Sequence, residues 1–160
     1  MRSLRFKSPL VAAAVMMLLA SHSSGQEHPQ KLKVQTLTKH FTCSHSAREF
    51  YAVTDDDAWQ RLWASLMYEG GPPAPEVDFS RNSVIAVFQG DQRSSGFDIS
   101  VSKIIKKDGR VTVHVKEVIP EDACKVLMVI TQPFHIVLIK KLDDPSLVDF
   151  KVKQKIKECE

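Results

Sequence analysis

Three side chains in 40-HFTCSH-45 are of types that bind zinc. His40 and His45 are five residues apart with Cys43 between them, and imidazole nitrogen with thiolate sulfur suits that ion. No fourth ligand follows and the cluster precedes a strand-like run, so Cys43 is better placed as a disulfide partner. Ser94 and Ser95 lie near Asp91 and Asp98, which supplies part of a hydrolytic triad. No histidine is tied to them, and the strand-to-helix elbow that exposes a nucleophilic serine is missing. The 90-GDQRSSG-96 stretch is followed by strand rather than helix, so it offers no helix dipole to a phosphate. Asp55, Asp56 and Asp57 suit the first turn of a helix better than an acid–base pair. A small hydrolase or metal-dependent enzyme built on His40, Cys43 and His45, or on Ser95, is therefore the second reading. The first is a protein without catalysis, metal or cofactor.

The elements that must position these residues start late in the chain. Arg2, Arg5 and Lys7 precede an apolar stretch, 10-LVAAAVMMLLA-20, and small residues Ser23 and Gly25 follow, the pattern of an export signal over residues 1–25 cleaved near Gly25. The apolar stretch is too short to span a bilayer, which takes roughly 20 residues. A secreted or periplasmic protein without a stable membrane anchor is expected. Three of the 22 basic residues lie in that segment, leaving 19 against 19 acidic ones, so no global field draws the protein to nucleic acid. The lysine-rich 151-KVKQKIK-157 reads as the solvated face of an edge strand or a frayed tail, since no aromatic is interleaved. Export permits disulfides, and three cysteines allow one pair: Cys43 with Cys124 is expected, with Cys159 in the charged tail as the alternative.

Residues 26–44 form a polar lead-in with a weakly alternating run at 32–37, residues 45–145 one globular domain, and residues 146–160 a charged tail. A strand-prone run at 47–53 leads to a helix capped by Thr54, with Trp59, Leu62, Trp63 and Leu66 on its inner stripe. Beyond residue 80 the period becomes two, predicting strands at about 82–89, 96–105, 110–118, 126–131 and 134–140. Asp108-Gly109 marks a hairpin turn, and Pro133 a break or an edge. The fold class is α+β: a mostly antiparallel β-meander, as a sandwich or partly open barrel, covered by one short amphipathic helix.

Several short pieces then recur in a known order. Val77, Asp78 and Phe79 lead in; Val84 to Val87 with Gly90 make a "VIAV-x-x-G" strand; Gly96 and Phe97 end a loop; Glu117 and Pro120 close a valine-rich strand. Pro133, Phe134, His135, Ile136 and Val137 complete the pattern. It resembles the C-terminal domain family of the protease-complex subunit PrcB. The resemblance implies a non-catalytic accessory of a secreted protease, whether assembling, stabilising or inhibiting it. The loop Gln92, Arg93, Ser94, Ser95, Gly96 and Phe97 stands where the family carries Lys-Pro-Thr-Gly-Gly-Tyr and keeps only the glycine and an aromatic. That loop, with the turn at Pro133 and Phe134 beside it, is the expected contact with a protein partner.

Overall fold

Alternation fails in 84-VIAVF-88 because that strand is covered on both faces. The computed structural model describes residues 28–67 and 70–158; the expected leader and Cys159 lie outside them. The elements run β1 (Gln30–Leu32), β2 (Gln35–His40), β3 (Phe50–Val53), α1 (Asp56–Leu66), β4 (Asn82–Phe88), β5 (Asp98–Lys107), β6 (Arg110–Pro120), β7 (Phe134–Lys140) and β8 (Val148–Lys157). Two four-stranded sheets form, one in the order β1-β5-β6-β8 and the other in the order β2-β7-β4-β3. In β4, Ile85 and Val87 face the first sheet while Val84, Ala86 and Phe88 face α1. A strand buried on both sides has no solvent face to mark with polar residues.

The layers are thus sheet, sheet and helix. Between the sheets pack Ile99, Val101, Ile104, Val111, Val113 and Val115 against Ile85, Val87, Val137 and Ile139. On the far side of β4 and β7, Trp59, Leu62, Trp63 and Leu66 of α1 are buried. Each such side chain contributes roughly 1.5–3 kcal/mol by leaving water. The tryptophan N–H groups are satisfied by the irregular strap that follows: Trp59 donates to Pro75 O and Trp63 to Pro72 O, both at 2.9 Å. Asp55, not Thr54, caps the helix, its carboxylate accepting from Ala58 N at 2.8 Å.

The α+β class is as expected, and the sheets do not close into a barrel. The β5–β6 hairpin turns on Asp108 and Gly109, with φ of 49° and 75°, as a tight hairpin turn requires. Two runs differ from expectation. Residues 148–157 are an edge strand, one of the two expected readings, rather than a frayed tail; what was not expected is that β8 pairs in parallel with β6 over its whole length, from Val111↔Val148 to Pro120↔Lys157. Residues 126–131 form no strand; their one ladder-type pairing is an isolated bridge between Gln92 and Thr131. The lead-in contributes β1 and β2, one to each sheet.

Candidate partner-binding surface

One end of the sandwich gathers the loop after β4, the long connection from β6 to β7, and residues 43–49. Gly90 makes this convergence possible. Its φ is +73°, and a Cβ there would lie 2.8 Å from Arg48 N and from Ser46 O, so only glycine lets the two backbones touch. Asp91 N donates to Ser46 O and Gln89 N to Pro133 O, each at 2.9 Å. Beneath them Glu117 is buried, its carboxylate accepting from Arg48 Nε at 2.8 Å and from Gln154 Nε2 at 3.2 Å. Gln89 is buried beside it, its amide nitrogen 3.4 Å from Val118 O and its Oε1 without a partner.

The expected loop residues divide by role. Gln92 exchanges backbone bonds with Thr131 at 2.7 and 2.9 Å, and its side chain donates back to Gln89 O. Ser94 is buried, and its carbonyl accepts from Thr131 Oγ1 at 3.0 Å. Ser95 holds the neighbouring segment, its N–H donating to Leu127 O and its hydroxyl accepting from Leu127 N, both at 2.9 Å. Gly96, at φ +94°, sits over Pro120 and Val126. Arg93 is exposed and lies 3.8 Å from Asp122. Of the loop residues, Arg93, Ser94 and Phe97 line a concavity of about 240 Å³ with Ile119, Val126 and Met128, and Glu121 and Asp122 add charge to it.

The turn at Pro133 and Phe134 is not part of that surface. Both residues are buried, Phe134 in the helix-side core, so they hold the loop's base and cannot meet a partner. What lies exposed instead is the segment after Val126: Leu127 is 73%, Met128 82%, Val129 50% and Ile130 65% exposed. Its composition had suggested a strand. An apolar β-prone run reads the same whether or not a layer covers it, so its exposure has no signature in sequence.

The residues singled out for chemistry do not converge. Among the described residues no group of three or more His, Cys, Asp or Glu side chains could hold a metal ion. His40 stacks on Phe41. His45 packs on Phe88 and lies 3.0 Å from Glu49 Oε2, which also accepts from the Tyr51 hydroxyl. Burial first, and then the Glu49 carboxylate, push the Tyr51 phenol up to about 12. Cys43 is not in a disulfide, so the expected bond to Cys124 is not formed. Its sulfur lies 3.6 Å from Gln132 O, and burial pushes the thiol's pKa up. Cys124 is itself disulfide-bonded, though not to Cys43, and its sulfur lies 3.5 Å from Lys157 O.

The residues that build this end are those of the recurrent pattern, and a comparison with protein families bears that out. Residues 83–140 match the PrcB C-terminal family, the family this part of the chain is similar to. No curated protein and no solved structure matches the chain. Within the matched segment, Gly90, Gly96, Glu117, Pro120 and Pro133 all support the loop from below, and His135 ties the two sheets together. Its Nδ1 accepts from Val101 N at 3.0 Å, so the proton is on Nε2, which donates to Thr36 Oγ1 at 2.9 Å.

Proposed function

We propose that this chain is an exported, non-catalytic interaction module that grips an apolar segment of a protein partner at the loop end of the sandwich. The exposed side chains of Leu127, Met128, Val129 and Ile130 carry this reading. Four consecutive large apolar residues in water form a patch that a partner's surface would cover, and each covered side chain is worth up to about 1.5–3 kcal/mol. The concavity beside them supplies a pocket for an anchoring side chain, with Arg93 and Asp122 as a polar rim. The PrcB family suggests a protease-complex subunit as that partner, and the signal-like first 25 residues support export. In this scheme Ser95 and Cys43 are structural, their polar atoms turned to backbone.

The test is capture from an exported fraction by wild-type protein and by a Leu127→Asp/Met128→Asp variant. Wild type retains a saturable protein partner; the variant loses it and melts at the same temperature, because these side chains touch little of the fold. A partner held equally by both proteins refutes the assignment of the surface. Activity of the purified protein on acyl or peptide substrates, lost in Ser95→Ala, would refute the non-catalytic reading.

A further inference from the structure

The outer face of the β1-β5-β6-β8 sheet gathers positive charge that the sequence spreads over three separate stretches. Inward positions of β6 are Val111, Val113, Val115 and Glu117, so His114, Lys116 and Val118 point outward. Parallel pairing sets Lys151 beside His114, Lys153 beside Lys116 and Lys155 beside Val118. On the other flank, β5 places Lys103 beside His114 and Ser100 beside Lys116. The array is two-dimensional, with rows about 5 Å apart across the strands and about 7 Å along them. The depressed pKa of His114 is consistent with this: after burial, Lys103 and Lys151 disfavour its imidazolium.

These cations are also unbalanced. Lys39, Arg48, Lys106 and Arg110 each meet a carboxylate within 3.5 Å. Lys103, Lys116, Lys151, Lys153 and Lys155 form no ion pair among the described residues. At the far end, a shallow depression of about 440 Å³ is lined by Lys116, Val118, Lys155, Ile156, Lys157 and Glu158. A chain whose charges nearly cancel thus carries an excess of positive charge on one sheet face.

We propose that this face docks the protein on an anionic lipid surface. Its spread of lysines over three neighbouring strands matches a plane of headgroups better than a linear chain. It presents no Trp, Tyr or Phe on which nucleic-acid bases could stack. The charges are lysines, which act as point charges and do not make the bidentate fork that reads individual phosphates. Each lysine near such a surface strengthens binding roughly fivefold, and attraction fades beyond a Debye length of about 10 Å at moderate salt. Docking of this kind is reversible and salt-sensitive, and needs no membrane-spanning helix.

Co-sedimentation with vesicles of phosphatidylcholine, with and without phosphatidylglycerol, tests it. The protein pellets only with the anionic vesicles and is released by high salt. Lys151→Glu/Lys153→Glu weakens binding at least tenfold. Lys33→Glu/Lys140→Glu, the same charge change at a hollow of the other sheet, leaves it near wild type. Should the first variant misfold, Lys103→Glu/Lys116→Glu is the equivalent reversal on the neighbouring strands. Absence of binding, binding to phosphatidylcholine alone, or equal loss in both charge variants overturns the proposal. So does binding to a linear sulfated polysaccharide without binding to vesicles, which would assign the face to extended polyanions.

Discussion

His135 gives the sharpest test of how the sheets are held together. It lies buried between β5 and β2, and its Nδ1 accepts from Val101 N where the pairing of β5 with β6 shifts register. A backbone N–H at a bulge has lost its regular ladder partner, and here the imidazole takes over that role. His135→Leu strands this N–H in an apolar interior, at a cost of about 1–3 kcal/mol. Thr36 is exposed enough to find water for its hydroxyl, so its share is small. A loss of about 2 kcal/mol corresponds to a fall of roughly 6–10 °C in melting temperature for a domain of this size. His135→Asn keeps an acceptor near the position of Nδ1 and loses less than half as much.

The same residue makes stability depend on pH. Burial, and then Lys39, lower its pKa below the ordinary 6.5, with Asp98 opposing. The unfolded chain therefore takes up the proton first on acidification. The stabilisation is complete above the unfolded value of about 6.5 and is lost as pH falls from there toward the folded pKa, by up to about 1.4 kcal/mol per pH unit. Urea unfolding at several pH values, comparing wild type with His135→Asn, isolates this contribution from that of His114, which has the same sign. A His135→Leu protein within about 0.5 kcal/mol of wild type, or identical pH slopes for wild type and His135→Asn, refutes the assigned tautomer and role.

Two further substitutions probe the base of the loop. Gly90→Ala forces a Cβ against Arg48 N and Ser46 O at 2.8 Å from a positive φ, and should destabilise by more than about 2 kcal/mol in chemical denaturation. Gly109→Ala has open space around it and should cost only about 1 kcal/mol, so equal losses would contradict the close approach. Arg48→Met leaves the Glu117 carboxylate buried with Gln154 alone and should cost about 3 kcal/mol, whereas Glu117→Gln, which leaves a half-exposed Arg48 to water, should cost less; the reverse order in thermal melts would refute the pairing.

Where side-chain pattern and burial coincide, the sequence was readable. The apolar run of β4, the Asp108-Gly109 turn and the tryptophan stripe of α1 each name their own structure, because one short segment contains the whole signal. The position of β8 was not readable. A row of lysines alternating with Val152 and Ile156 describes one wet face, but its parallel partner is set by contacts distant in sequence. The Pro133–Phe134 turn failed for a related reason. Proline suggests an exposed turn, yet here its carbonyl accepts from Gln89 N and the adjoining phenylalanine fills the helix-side core. The expected Cys43–Cys124 pairing failed because pairing is decided by proximity in space: Cys43 is buried against the Gln132 carbonyl, while the disulfide-bonded Cys124 lies beside Lys157.

The division of labour within 90–97 also says where specificity can change. Gly90 and Gly96 are required by the backbone, Ser94 and Ser95 by hydrogen bonds to the opposite segment, and Gln92 by its bridge to Thr131. Arg93 alone of the six from 92 to 97 projects a long exposed side chain that the fold does not use for packing. The exposed side chains of the Leu127–Ile130 segment are free in the same sense, so partner choice can drift at these positions while the framework beneath stays intact. β6 links this end to the basic face: Ile119 and Pro120 at its end line the concavity, while Lys116 and Val118 border the basic depression. Position along one strand thereby separates the two surfaces chemically. Charge reversal on the lysine face should leave partner capture unchanged, and Leu127→Asp/Met128→Asp should leave vesicle binding unchanged; loss of both functions in either variant would mean that a single surface serves both.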